Sequence, residues 1–88
     1  MRFDEKIAIV TGVGPGLGRS TAVGLARRGA DVVLGARTRS YLEGVAKEIE
    51  DLGRKALVVP CDITKREECK NIADLAVQRF GRIDVLVN

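Results

Sequence analysis

The segment Thr11-Gly12-Val13-Gly14-Pro15-Gly16-Leu17-Gly18 places four glycines in seven residues, between an apolar run and a helical pattern. Without side chains, a backbone can turn sharply and let a phosphate come close. A helix that starts there directs its first N–H groups and the positive end of its dipole at the phosphate. One or two glycines would suit a tight strand-to-helix turn. Four of them at the first such junction point to a dinucleotide-type ligand. The common G-x-G-x-x-G fingerprint needs glycine where Leu17 or Arg19 stands, and no Gly-Lys-Ser/Thr follows as a P-loop requires. The pattern that fits is T-G-x-x-x-G-x-G, on Thr11, Gly12, Gly16 and Gly18.

The elements that must position this loop are legible around it. Four apolar runs, Ile7 to Val10, Val32 to Leu34, Ala56 to Val59 and Ile83 to Val87 with one break at Asp84, are rich in β-branched residues and mostly continuous. Such runs suit strands covered on both faces. Between them lie three helical patterns. The first spans about Gly16 to Arg28, with Leu17, Ala22, Leu25 and Ala26 on one side. The second carries Leu42, Val45, Ala46, Ile49 and Leu52, and the third Cys69, Ile72, Ala73, Ala76, Val77 and Phe80, each along one face. Ser40 to Glu43 and Thr64 to Glu67 match the capping-box pattern. Gly29, Gly53 and Gly81 each follow a helical run, where a left-handed residue is wanted. The order β-α-β-α-β-α-β predicts an α/β fold, with a parallel sheet and right-handed crossovers, over residues 1–88 as part of one domain.

Composition excludes several classes. With 88 residues, 45% apolar and 31% charged, the chain has the balance of a globular protein. The net charge of +3 is dispersed among acids, and the only aromatics are Phe3, Tyr41 and Phe80, so no nucleic-acid surface is expected. No apolar run approaches a membrane span, and the N-terminus lacks an export signal. There is no histidine, which removes His-based metal sites, nucleophile pairs and general bases from this stretch, and no metal is expected. Cys61 and Cys69 read as reduced, buried thiols of a cytoplasmic protein.

The glycine pattern resembles that of the short-chain dehydrogenase/reductase family, and the likeness continues in register over the whole chain. That family often has an Asp after its third strand, near the adenine ring; here the third run leads into Cys61-Asp62-Ile63-Thr64. Its fourth strand ends in Asn-Asn-Ala-Gly; here the chain reads Val85-Leu86-Val87-Asn88. The resemblance implies a Rossmann-type doubly wound sheet of strand order 3-2-1-4, with the first two helices on one face and the third on the other. It implies cofactor contacts from Gly12, Gly14, Gly16, Leu17 and Gly18 in the loop, from Arg37 and Thr38 after the second strand, from Asp62 and Ile63 after the third, and from Asn88.

In this fold the end of the second strand meets the adenosine ribose, where an acid selects a free 2′-hydroxyl and a base accommodates a 2′-phosphate. The chain reads Leu34-Gly35-Ala36-Arg37-Thr38-Arg39-Ser40, with no acid at that end. NADP(H) is therefore expected over NAD(H), with Arg37 as a fork for the phosphate. The family implies hydride transfer between the cofactor and a carbonyl or alcohol substrate in a homo-oligomeric enzyme, with a Tyr-x-x-x-Lys pair for acid–base chemistry. That pair is not in this stretch: Tyr41 is followed four residues later by Val45, so no catalytic residue is assigned. The 88 residues alone are expected to be inactive and to self-associate through the exposed fourth strand or the sheet face left without its helices. Two alternatives are a non-catalytic nucleotide-binding fragment and, more distantly, an S-adenosylmethionine-dependent methyltransferase. The latter class usually carries acids before the loop and after the second strand, where this chain has Thr11 and Ala36-Arg37.

Overall fold

The structure is a computed structural model that describes residues 3–12 and 16–87. Its elements run β1 (Ile7–Thr11), α1 (Leu17–Arg27), β2 (Asp31–Ala36), α2 (Arg39–Asp51), β3 (Ala56–Pro60), α3 (Arg66–Phe80) and β4 (Val85–Val87). The four strands form one parallel sheet of order β3-β2-β1-β4, as the family resemblance implies.

Burial on both faces explains the continuous apolar runs. Side chains alternate across a strand, so Val32 and Leu34 of β2 enter one core while Val33 enters the other. The first core joins Val10, Val32 and Leu34 to Ala22, Val23 and Ala26 of α1 and to Leu42, Val45, Ala46 and Ile49 of α2. The second joins Ile7, Ile9, Val33 and Val59 to Ile72 and Ala76 of α3. Thus α1 and α2 cover one face and α3 the other. Each fully buried Val, Leu or Ile contributes about 1.5–3 kcal/mol relative to exposure, enough to fix which face each helix takes.

Several local expectations need correction. Leu17 is 83% exposed rather than part of the α1 core face: the helix begins there, and its buried residues are Ala22, Val23 and Ala26. On α3, Cys69 and Val77 lie outside the core, which Ile72 and Ala76 enter with Leu75 and Phe80 packed beside them. The capping boxes do not form. The α2 N-cap is Thr38 and the α3 N-cap is Lys65, both without a side-chain cap bond, so Ser40 and Thr64 are displaced from the capping position. Asp84, which interrupts the last apolar run, seats β4 on β1: its backbone N–H donates to the Ile7 carbonyl at 2.8 Å and its carboxylate accepts the Ile7 N–H at 2.9 Å. Beyond β4 there is no further strand among the described residues, and Leu86 of β4 is 61% exposed. Among the described residues no helix is long and apolar enough to cross a membrane.

The predicted glycine stops are present. After α1, Gly29 donates to the Ala26 carbonyl and Ala30 to that of Leu25, and the same pair of bonds closes α2 through Gly53 and Arg54. Gly29 has φ +103°, and a Cβ there would lie 3.0 Å from the Asp4 Cα; Gly53 has φ +82° with open space around it. Gly29→Ala should therefore cost about 2–4 kcal/mol, from backbone strain plus a clash with main chain, against about 1 kcal/mol for Gly53→Ala. Urea unfolding of the two variants checks this, and equal midpoints would refute the clash.

Candidate functional site

Because all four strands are parallel, their carboxyl ends share one edge, and the loops leaving β1, β2 and β3 open onto it side by side. The strand order reverses between β1 and β4, since α1 leads from β1 to one side and α3 returns the chain to the other. Open α/β sheets bind ligands outside the carboxyl ends of their strands at such a reversal.

At the first loop, Gly12 has φ +67° and Gly16 has φ +90°, a region that disfavours any side chain. Among the described residues nothing lies within 4 Å of a Cβ built on either. Backbone conformation is thus the folding requirement for glycine at both positions, and no described residue fills the adjoining space. Gly16 is the N-cap of α1, which has no side-chain cap and no acid in its first turn. The partial positive charge of this helix end is left without a counter-charge from the helix itself. By contrast α3 carries Glu67 and Glu68 in its own first turn. Leu17 and Gly18 open α1 at this edge, whereas Gly14 and Asn88 lie outside the described residues.

Arg19, one residue after the glycine pattern, is occupied elsewhere. Its guanidinium makes a two-point contact with Glu48 of α2, with Nε to Oε2 at 2.7 Å. The pairing holds the Glu48 carboxyl below its ordinary range and ties α1 to α2. Thr11, buried at the end of β1, donates its hydroxyl to the Val87 carbonyl at 3.3 Å and so braces the ends of the two strands that flank the reversal.

After β2, Arg37 and Thr38 are exposed, Thr38 as the α2 N-cap. After β3, the Cys61 N–H donates to the Ala36 carbonyl at 2.8 Å, which brings the two loops together. There Arg37 Nη2 lies 3.3 Å from Asp62 Oδ1. The same carboxylate oxygen accepts the Thr64 hydroxyl at 2.6 Å and the Thr64 N–H at 2.9 Å, and the Asp62 N–H donates to Glu68 Oε1 at 2.8 Å. Ile63 is about half exposed, and its carbonyl accepts the Cys69 thiol. Cys61 is buried, and burial pushes its thiol pKa up; Cys69 is exposed, contrary to the expectation for the pair.

Thr64 is the residue that sequence reasoning misassigned, and Glu68 the one that it missed. Thr64 was expected to cap α3; instead it and Glu68 fix the loop around Asp62. The signal was the Asp-x-Thr spacing of a local side-chain-to-backbone turn. Gly35, opposite Thr11 in the sheet, also has a local role that its sequence position did not reveal: a Cβ there would lie 2.6 Å from Ile72 Cδ1 and 3.1 Å from Cys61 Sγ.

Donation from Thr64, followed by the charge of Arg37, holds the Asp62 carboxyl below the usual carboxylate range. A depressed pKa means that the interactions of the ionised form support folding above the unfolded value and are lost as pH falls through the folded one. The Arg37–Asp62 pair should then survive acidification through about pH 3.9, the ordinary Asp value, and break below it. Carbon-13 titration of the Asp62 carboxyl should give a midpoint below that value, and Thr64→Val should raise it. A wild-type midpoint at or above the ordinary value would contradict the assignment.

The model of the family described as short chain dehydrogenase matches residues 6–88. The 7alpha-hydroxysteroid dehydrogenase of Escherichia coli (strain K12) is 40% identical over 88 residues, covering 100% of this chain and 34% of that protein. The structure of a 7 alpha-hydroxysteroid dehydrogenase complexed with NADH and 7-oxo glycochenodeoxycholic acid superposes with a TM-score of 0.94 at 40% identity, over 99% of this chain and 34% of that one. That of L-sorbose reductase from Gluconobacter frateurii, complexed with NADPH and L-sorbose, gives a TM-score of 0.93 at 34% identity, over 100% of this chain and 34% of that one. The chain spans about a third of the length of the curated relatives it matches.

Proposed function

Since the chain belongs to the short-chain dehydrogenase family, we propose that it forms the adenosine-binding end of a nicotinamide-cofactor site, and that the cofactor is NADP(H) in preference to NAD(H). The protein that carries it acts as an oxidoreductase on a carbonyl or alcohol substrate. Solved structures of similar proteins are complexes with NADH in one case and with NADPH in another, so family membership leaves the choice of cofactor open. The observation that carries the choice is Arg37: it follows β2 directly, its side chain is 70% exposed, and the segment between β2 and α2 contains no acid.

The residues fit the parts of such a cofactor. Gly12, Gly16 and the uncapped start of α1, with Leu17 and Gly18, offer backbone N–H groups to a pyrophosphate, and no described residue crowds the two glycines. Gly14, in the same loop, is proposed to join them. Arg37 and Thr38 stand where the ribose 2′-position would come, and Asp62 with Ile63 where the adenine would lie. Asn88 is proposed to follow at the end of β4. When bound, the cofactor supplies or accepts the hydride. No acid–base residue is assigned within this chain. Tyr41 packs half-buried against the α1–α2 core, so these residues by themselves are proposed to bind without turnover. A homo-oligomer, as the family resemblance implies, located in the cytoplasm, completes the reading.

Isothermal titration of the protein at its natural length should show tighter binding of NADPH than of NADH. Arg37→Ala should narrow that gap about tenfold, the equivalent of ~1.4 kcal/mol and within the range of one charge-assisted contact. Equal affinities for the two cofactors, unchanged by the substitution, would defeat the proposal.

A further inference from the structure

Arg37 does not wait alone for its ligand. Its Nη2 is already shared with Asp62, and the two partners are held very differently: 70% of the Arg37 side chain is exposed, against 23% for Asp62. The Asp62 oxygen facing the guanidinium is fixed by two donors from Thr64, and the Asp62 backbone by Glu68. A single 3.3 Å contact at an exposed guanidinium is too weak to brace the fold or to preorganise a long side chain. What it supplies is a negative charge at a fixed place beside the cation.

We propose that Asp62 is a positioning residue for cofactor selection, a built-in competitor that holds Arg37 and reduces the protein's preference for a cofactor bearing a 2′-phosphate. The inference rests on the reading of Arg37 above. A phosphate dianion arriving at Arg37 must share the guanidinium with the Asp62 carboxylate. A ribose with a free 2′-hydroxyl makes no such demand. An aspartate carboxylate is ionised at neutral pH, and Thr64 and Arg37 favour that form further, so the competitor is charged under ordinary conditions. The guanidinium offers five donors, so competition lowers the discrimination without abolishing it. The opposite effect, Asp62 aiming Arg37 at the phosphate, would need a tight two-point pair, like that between Arg19 and Glu48.

The test is a double-substitution cycle on the protein at its natural length, with dissociation constants for NADPH and NADH measured by isothermal titration. Asp62→Asn keeps an acceptor for Thr64 and removes the charge; Asp62→Ser serves if the first variant folds poorly. The expected result is a three- to tenfold rise in the ratio of NADPH to NADH affinity, with a clearly smaller rise when Arg37 is already Ala. A merely structural Asp62 would weaken both cofactors alike and leave the ratio unchanged, which overturns the proposal. So does a fall in the ratio, or a rise of equal size with and without Arg37, since Asp62 would then act on the phosphate directly. These failures are distinct from failure of the underlying reading, in which Arg37→Ala itself leaves the ratio unchanged.

Discussion

Strand β2 has no exposed face, and most of the architecture follows from that constraint. It pairs with β1 on one side and β3 on the other, and the side chains from Val32 to Leu34 are fully buried in two separate cores. Both layers of helix are therefore obligatory. A parallel strand needs a crossover to reach its neighbour, and right-handed crossovers to opposite sides of β1 place α1 and α2 on one face and α3 on the other. Every strand then ends at the same edge, and the polar loops have one place to gather. The site comes from the burial of apolar residues remote from it in chemistry.

The edge itself is organised by a handover from hydrophobic to polar bonding within one or two residues. Val10 is buried, Thr11 is buried with its hydroxyl on the Val87 carbonyl, and Gly12 is already exposed in a left-handed conformation. A similar change runs through β2 into Arg37 and through Cys61 into Asp62. Gly35 makes the second of these compact: without a side chain, it lets Ile72 and Cys61 close over the end of β2. The Cys61 N–H then reaches Ala36, and the charged residues of two loops meet.

The features legible in the sequence were those with a period or a conformational demand. Strands covered on both faces leave continuous β-branched runs, α1 and α2 leave apolar stripes, and Gly29, Gly53 and Gly81 mark helix ends because each must adopt positive φ. Strand order was not legible in these patterns and came from family resemblance, since nothing local distinguishes β1 from β3 as the partner of β4. The errors arose where a short motif was read without its tertiary surroundings. Thr64 matches a cap, yet Asp62 two residues earlier competes for its donors and takes both. Cys69 matches the α3 stripe, but α3 turns only Ile72 and Ala76 fully inward, leaving the helix start outside the core. For the candidate site, residue types and order were readable, whereas the meeting of Arg37 with Asp62, twenty-five positions apart, is a product of the sheet.

The two ends of the sheet treat charge in opposite ways, and this asymmetry separates a binding edge from a structural one. At the amino ends, Asp31 accepts the Lys55 N–H at 2.9 Å and pairs with Arg54 at 3.0 Å, with the two paired side chains only 14% and 30% exposed. Asp84 there takes both the Ile7 N–H and the guanidinium of Arg82, which together hold its carboxyl below the usual range. Those charges are directed at the chain's own backbone and partners, and they fasten strands. At the carboxyl ends, α1 begins without an acid, and among the described residues Arg37 has one long contact, to a carboxylate already engaged by Thr64. Polar groups with incomplete partners at a solvent-facing edge cost little in stability and keep their capacity for a ligand. The proposed phosphate-rich cofactor matches the sign of that capacity, which the Asp62 carboxylate is proposed to limit.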